Sequence, residues 1–465
     1  MIRTELASSR QALRDVFANR ALRHVFLAFA GSLIGDGVFS LSAIVYVYRA
    51  GGPTAVGVLA VVRYVAIASA APFTSTFADQ FNRKAVMVTS DVVRLALVSV
   101  AAVLVGAHAS HWFIYALIVL VGVAGTAFRP AQASILPQLA REHDEVAGAN
   151  VVSSTIESVG FFAGPALAGF LLAVANVTTA FAFDAVTFVW SALLVVTLQF
   201  TAPEERSAEI TELLAKSEAG NDRAQSFLQR AIAGFQTIRE DRDLLILVIL
   251  YVLQCVVAGA SAVFTVAIAL RLLQIGSAGL GLMESMLGIG GLIGGFVALV
   301  LVQRARLARD FGLGVVVWAA PLLIIAAYPH LWAALIMMWL IGAANSVVDV
   351  NAITVLQHVV PNEKLGRVMG ALEAGEIGGM AIGALTMTFF INGIGLRWGL
   401  TIIGAAVSLF VLPGLPAMRR IDAKAFPKGV EHHPNEIRHR RVIHHDELRA
   451  HLHRHLRTRN GRLGG

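Results

Sequence analysis

Apolar runs long enough to cross a lipid bilayer recur along the whole chain, and they leave little choice of architecture. An α-helix rises about 1.5 Å per residue, so a hydrocarbon core of roughly 30 Å needs about 20 mostly apolar residues. Twelve such runs lie near 24–48, 54–78, 87–107, 112–135, 146–174, 178–200, 244–270, 277–301, 311–328, 331–358, 365–391 and 397–418. Gly and Pro recur inside them, as is common in membrane helices. A transmembrane barrel would instead alternate in strands of about ten residues. Composition agrees: 57% of the 465 residues are hydrophobic and 14% charged, against about 25% charged in soluble domains. The expectation is an all-α integral membrane protein with twelve transmembrane helices.

The basic residues set its sidedness, because Lys and Arg resist translocation. Arg3, Arg10, Arg14, Arg20 and Arg23 precede the first run, and Arg83 and Lys84 follow the second. Arg141 follows the fourth, Arg304, Arg306 and Arg309 the eighth, and Lys364 and Arg367 the tenth. The intervening loops offer only Arg49, Arg271 and Arg397. Both termini are therefore expected in the cytoplasm, which requires an even number of spans; no cleavable signal peptide is expected. The net charge of +7 reports this topology rather than nucleic-acid binding. The single cysteine, Cys255, allows no internal disulfide and argues against a Cys-based metal site.

One long polar stretch, 201–243, separates the spans six and six. The expected units are a cytoplasmic segment 1–23, a six-helix bundle 24–200, the linker 201–243, a second bundle 244–418 and a basic tail 419–465. In the linker, charged residues lead into Phe227, Leu228, Ile232, Phe235 and Ile238 at helical spacing, an amphipathic helix for the cytoplasmic surface or, alternatively, for a regulatory partner. The tail holds eight of the fourteen histidines, His432, His433, His439, His444, His445, His451, His453 and His455, among many arginines. Its leading reading is attraction to anionic lipid; metal binding is the weaker alternative, since arginines interrupt the histidines.

The halves resemble each other. Phe128 to Leu136 can be laid on Val348 to Leu356, and Glu157, Gly160 and Gly164 then fall on Glu376, Gly379 and Gly383. Gly57 similarly matches Gly279. Two self-similar six-helix halves indicate a parallel duplication, with a substrate site near the midplane between them.

Charges inside such runs are costly and become functional candidates. Asp36 lies halfway along the first run, with Glu157 and Glu376 similarly central in the fifth and eleventh. Arg63 and Glu284 fall in the outer halves of the second and eighth runs, Arg129 and Asp349 in the inner halves of the fourth and tenth, and Glu373 one turn before Glu376. The repeat makes Arg129 and Asp349 equivalent with opposite sign, so they pair across the interface or each finds a partner in its own half. Asp36 and Glu157 have no evident sequence neighbour of opposite charge and are the candidates for proton coupling. The others line a central cavity for substrate, with Arg63 and Arg129 compensating carboxylates or binding an anionic group. Asp184 reads as structural. A carboxylate in low-dielectric surroundings takes up a proton more readily than one in water, which proton-coupled exchange requires.

Several motifs give these runs a family likeness. Ser75-Thr-Phe-Ala-Asp79-Gln80-Phe-Asn82-Arg83-Lys84 is similar to G-x-L-A-D-R-x-G-R-K, departing from it at Ser75, Gln80 and Asn82. Asp91 and Arg94 match an Asp-x-x-Arg at the start of the third run. Gly160-Phe-Phe-Ala-Gly164-Pro165-Ala-Leu-Ala-Gly169 is similar to G-x-x-x-G-P-x-x-x-G. On these residues the chain resembles the major facilitator superfamily, and within it the bacterial exporters related to the enterobactin exporter and the macrolide efflux pumps. The resemblance implies that Asp79, Arg83, Lys84, Asp91 and Arg94 form a conformational latch on the cytoplasmic side, and that the fifth run carries an antiporter-type motif. Small residues four apart also let helices approach closely, and Pro165 removes a backbone hydrogen bond.

No Walker A sequence and no H-E-x-x-H or G-x-S-x-G is present, so neither an ATP-driven pump nor a hydrolase is expected. The sequence points to a secondary transporter in a bacterial inner membrane, with no cofactor and a proton gradient as its energy source. It would exchange protons for a small amphiphilic molecule, drug-like or siderophore-like, and work as a monomer. The alternatives are an importer or lipid facilitator of the same fold, or a membrane receptor or scaffold that moves nothing.

Overall fold

The computed structural model describes residues 17–140, 143–198, 227–302 and 306–425, and every regular element among them is helical. The longest helical run, Arg20–Gln80, has 61 residues and would extend about 90 Å at 1.5 Å per residue, far more than one bilayer. It is broken at Gly52, whose φ of 65° and ψ of −161° are non-helical and are accessible to glycine at little cost. We therefore count α1 (20–51) and α2 (53–80) as separate spans. The others are α3 (Arg83–Gly106), α4 (His111–Leu139), α5 (His143–Val174) and α6 (Val177–Val196). The second half contains α7 (Arg242–Leu272), α8 (Gly276–Val302), α9 (Leu307–Ala327), α10 (Leu331–Val359), α11 (Asn362–Gly393) and α12 (Leu396–Ala423). Twelve spans are thus present, as the apolar runs predict. Four depart from a regular α-helix: α4 between Gly125 and Phe128, α7 in its π-helical last turn Ile268–Leu272, α9 before Pro321, and α12 at the 3-10 turn Leu412–Gly414.

The packing shows the duplication. In the first half α1 lies on α5, α3 on α6 and α2 on α4; in the second α7 lies on α11, α9 on α12 and α8 on α10. Glycine makes the tightest of these approaches possible. A Cβ on Gly164 would stand 2.8 Å from the Cα of Gly37 on α1, and one on Gly383 of α11 would run into the carbonyl of Val256 on α7. In lipid no hydrophobic effect draws helices together, so such close backbone packing carries much of the association. The halves then meet through α5 on α8 and α2 on α11. The repeat that equates α2 with α8 and α5 with α11 maps one of these contacts onto the other.

The two ends of the bundle differ. At the end bearing the start of α1 and the end of α12, which we call the basic end, loops are tied within each half. Asn19 Nδ2 donates to the Leu139 carbonyl at 2.9 Å, and Lys84 Nζ to that of Leu198 at 2.6 Å. Asp422 accepts from the amides of Ala308 and Arg309. The helix Phe227–Glu240, within the expected amphipathic linker, packs on α11 with Gly234 against the Arg367 carbonyl. At the opposite, outer end the halves are bonded to each other. Asn392 Nδ2 donates to Thr54 Oγ1 at 2.8 Å, Thr388 Oγ1 to the Pro53 carbonyl at 3.4 Å, and Ser277 Oγ to the Leu172 carbonyl at 3.5 Å.

Candidate transport pathway

The same helices that seal the outer end diverge toward the basic end. On α11, Thr388 and Asn392 touch α2, whereas Gly366, Gly370 and Gly378 face open space. On α5, a Cβ on Gly169 would lie 2.8 Å from the Cα of Gly281 on α8, while Glu157, three turns earlier, has a side chain 40% exposed. The interior between the halves is therefore closed outside and opens at the basic end. The small-residue motif of α5 serves both contacts: Gly160 and Gly164 hold α1 within the half, and Gly169 holds α8 across the seam.

Asp36 sits on the wall of this interior. Contrary to its appearance in sequence as a lone charge, it is paired with Arg94 of α3, whose Nη1 lies 3.0 Å from Asp36 Oδ2. Asp36 keeps 39% of its side chain exposed, while Arg94 keeps 3%. The other guanidinium nitrogen bonds Asp91 Oδ1 at 2.6 Å, and Asp91 Oδ2 accepts from Ser191 Oγ of α6 at 2.6 Å. Phe188 and Phe128 cover the guanidinium, 4.3 and 5.1 Å from its carbon, adding cation–π attraction. Asp91 and Arg94 thus stand apart from the loop in which the latch was expected. They lie 8 and 11 residues along α3 from Arg83, about 12 and 16 Å deeper along a helix. Of the remaining latch residues, Arg83 is half-buried, Lys84 makes the carbonyl bond above, and the Asp79 side chain lies outside the described residues.

Asp184 belongs to this cluster, although the sequence marks it as structural. It is fully buried on α6, accepts from Thr187 Oγ1 at 3.2 Å, and leaves Oδ2 without a hydrogen-bond partner among the described residues. α1 comes closest here, since a Cβ on Gly35 would run into Asp184 Oδ1. Phe181, Asp184, Phe188 and Ser191 recur at helical spacing on one face, the trace of α6's share of this arrangement in the sequence.

Arg129 and Asp349 resolve in favour of separate partners. Arg129 of α4 pairs with Glu157 of α5, both substantially exposed to the opening. Asp349 of α10 has no cation among the described residues; Asn345 Nδ2 donates to it at 2.9 Å and Gln254 Nε2 of α7 at 3.4 Å. Glu376 lies near Asp349, by the Tyr251 hydroxyl, and Glu373 is exposed one turn away. Gln254, Asn345 and Tyr251 give no signal in the sequence because they are uncharged. Arg63 borders a small cavity with Ser40, Tyr64 and Ala262, about 510 Å³ counted with its open mouth. Its Nε is buried without a hydrogen bond among the described residues. Glu284 of α8 has no hydrogen bond or ion pair among the described residues. Among the described residues no group of three or more His, Cys, Asp or Glu could hold a metal ion.

Two duplicated six-helix bundles, sealed at one end and lined with charges inside, have the architecture of the membrane-transport folds. The family model of the Major Facilitator Superfamily matches residues 25–309 and 250–452, and the chain belongs to that superfamily. Among curated relatives, it is 24% identical over 233 residues to the uncharacterised MFS-type transporter YvqJ of Bacillus subtilis (strain 168), covering 50% of this chain and 53% of that one. It is 31% identical over 149 residues to the uncharacterised MFS-type transporter YfiS of the same organism, covering 30% and 34%. The matched part therefore spans about half or less of either relative. Solved structures share the fold at low identity. A point mutant of the nucleoside transporter NupG gives a TM-score of 0.67 at 14% identity, covering 86% of this chain and all of that one. A POT family transporter in complex with 5-aminolevulinic acid gives 0.65 at 14%, covering 87% and 97%. A D-xylose-proton symporter gives 0.61 at 13%, covering 85% and 98%.

Proposed function

We propose that the chain is a proton-coupled exporter of a small amphiphilic molecule, working by alternating access in a bacterial inner membrane. The supporting observation is the Asp36–Arg94 pair. Its carboxylate meets the open interior while its guanidinium is buried and shared with Asp91. Protonating Asp36 would cancel its attraction to Arg94 but leave Arg94 paired, so a proton can come and go without stranding a buried cation, which is costly. Glu157 is a second candidate, with Arg129 as its counter-charge. Substrate would enter from the basic end, taken as cytoplasmic from the loop charges, and compete with protons for the interior carboxylates. A cationic or zwitterionic amphiphile fits the acidic wall formed by Asp349, Glu373 and Glu376.

The motifs around Asp79 and Gly164 place the chain, in our reading, near the enterobactin-exporter and macrolide-efflux subgroup, with Asp79, Arg83 and Lys84 latching the basic end when it closes. We take it as a monomer whose basic tail, outside the described residues, rests on anionic lipid. A second reading is proton-coupled import, favoured by fold likeness to a D-xylose-proton symporter; the same residues would serve, and only direction would differ. Inverted membrane vesicles decide between them. With an imposed pH gradient, candidate amphiphiles added outside should release protons from the lumen of vesicles holding the wild type, and not from those holding Asp36→Asn. Proton movement in the same direction as substrate would establish import, and no movement of either would return the chain to the receptor class.

A further inference from the structure

Glu284 lies on α8 between two of the points at which that helix touches the other half. Gly281, three residues before it, meets Gly169 of α5, and Gly288, four residues after it, meets Phe162 of the same helix. Leu282, Ile293, Phe296 and Val300 are the exposed, lipid-facing side of α8. With 3.6 residues per turn, Glu284 falls on the opposite side, toward the interior between α5 and α10. It is about 12 Å from the outer end of α8, within the seam between the Gly281 and Gly288 contacts.

Glu284 is half-buried, and no hydrogen bond or ion pair reaches it among the described residues. The charged groups on the elements packed against it are engaged elsewhere or lie at other levels. Glu157 of α5 is held by Arg129, and Asp349 of α10 by Asn345 and Gln254. Arg271 ends α7, Tyr251 lies deeper on that helix, and Asp310 begins α9 at the basic end. An ionised carboxylate without a partner inside a membrane protein is costly, and a protonated one much less so. Parting α5 from α8 at Gly169/Gly281 and Phe162/Gly288 would admit water beside Glu284 and relieve that cost.

We infer that Glu284 is a proton-binding site coupled to the outer seam: a proton on Glu284 favours the closed seam, and its loss favours opening. By linkage, closure must in turn favour the proton. The site is distinct from Asp36, which is paired and lies on the other half. The seam linkage itself needs no substrate; its use as a second coupling carboxylate rests on the proton-coupled reading above.

The test uses the full chain in lipid nanodiscs with Cys255→Ala, carrying spin labels at Ser110→Cys and Tyr328→Cys. These positions are exposed on outer loops of opposite halves. Distances between the labels are measured by pulsed electron resonance from about pH 5 to about pH 9, which brackets carboxylate titration in folded proteins. The closed-to-open ratio should fall as pH rises, by at most about tenfold per pH unit for one linked proton. Glu284→Gln should stay closed throughout, Glu284→Asp should keep a response, and Asp36→Asn should still respond. A Glu284→Gln protein that titrates like the wild type overturns the inference. If the response vanishes in Asp36→Asn and persists in Glu284→Gln, the inference fails while proton coupling stands. A wild type indifferent to pH overturns it as well, and the vesicle assay then judges proton coupling independently.

Discussion

The two halves share one packing plan but handle charge in opposite ways. The first half sets cations against its interior carboxylates: Asp36 and Asp91 both bond Arg94, with Asp184 nearby, and Glu157 faces Arg129. The second places Glu284, Asp349, Glu373 and Glu376 in its spans, while every Lys and Arg of that half lies near a helix end. Amides and a phenol take the place of cations around Asp349 and Glu376. A duplicated backbone therefore carries two different electrostatic devices. One holds a buried guanidinium that must never lose all its partners; the other offers carboxylates whose negative charge is uncompensated within the half.

Removing Arg94 should break this contrast most severely. Arg94→Ala leaves buried Asp91 with only Ser191, and breaking such a network typically costs about 3–5 kcal/mol. The thermal unfolding midpoint in detergent should fall sharply, with Arg94→Lys recovering only part of it because a lysine lacks the fork and the flat face that stacks on Phe188. A midpoint unchanged by Arg94→Ala would mean that the cluster does not hold the first half together.

Next in size are the helix crossings. Gly383→Leu should cost more stability than Gly164→Leu, since its Cβ would run into the Val256 carbonyl rather than stop at a Cα 2.8 Å away. Overpacking of this kind costs about 1–3 kcal/mol or more. Equal losses would show that the halves relax alike and that the tighter approach in the second has no energetic weight.

Smaller still should be Asp349→Asn, which removes a carboxylate that has no cation to strand. Its effect on the unfolding midpoint should correspond to within about 1 kcal/mol, whereas Asp91→Asn, which deprives Arg94 of a buried partner, should cost clearly more. The reverse order would contradict the division of labour between the halves. Glu157→Gln should change stability least, by under about 1 kcal/mol, because the Arg129 pair is exposed and screened; any larger loss would place that pair in a drier setting than the open interior.

The spans are legible in the sequence because bilayer thickness imposes a length that few other constraints imitate. Even the shortest run, near 311–328, becomes a span, extended backward to Leu307 and interrupted at Pro321. The family motifs are legible too, and the glycines of α5 do lie at close crossings. Partnerships across helices are not. Asp36 and Arg94 are 58 residues apart, and nothing in either run announces that α1 and α3 bring them together. Asp91 and Arg94 follow the loop motif so closely in sequence that they read as part of it, although two to three helical turns carry them into the interior. Asp184 is hidden for a related reason: counted from its helix end it looks peripheral, yet Gly35 lets α1 settle directly on it. Neutral residues such as Gln254 and Asn345 give no signal until the carboxylate they serve is placed beside them.

The central claim is that proton movement through the interior drives substrate movement. It is tested most directly in inverted vesicles that accumulate a transported amphiphile under an imposed pH gradient. Accumulation should collapse when the gradient is dissipated, and should not develop in vesicles carrying Asp36→Asn while the purified variant still folds. Accumulation that survives both the loss of the gradient and the loss of the carboxylate would contradict the account.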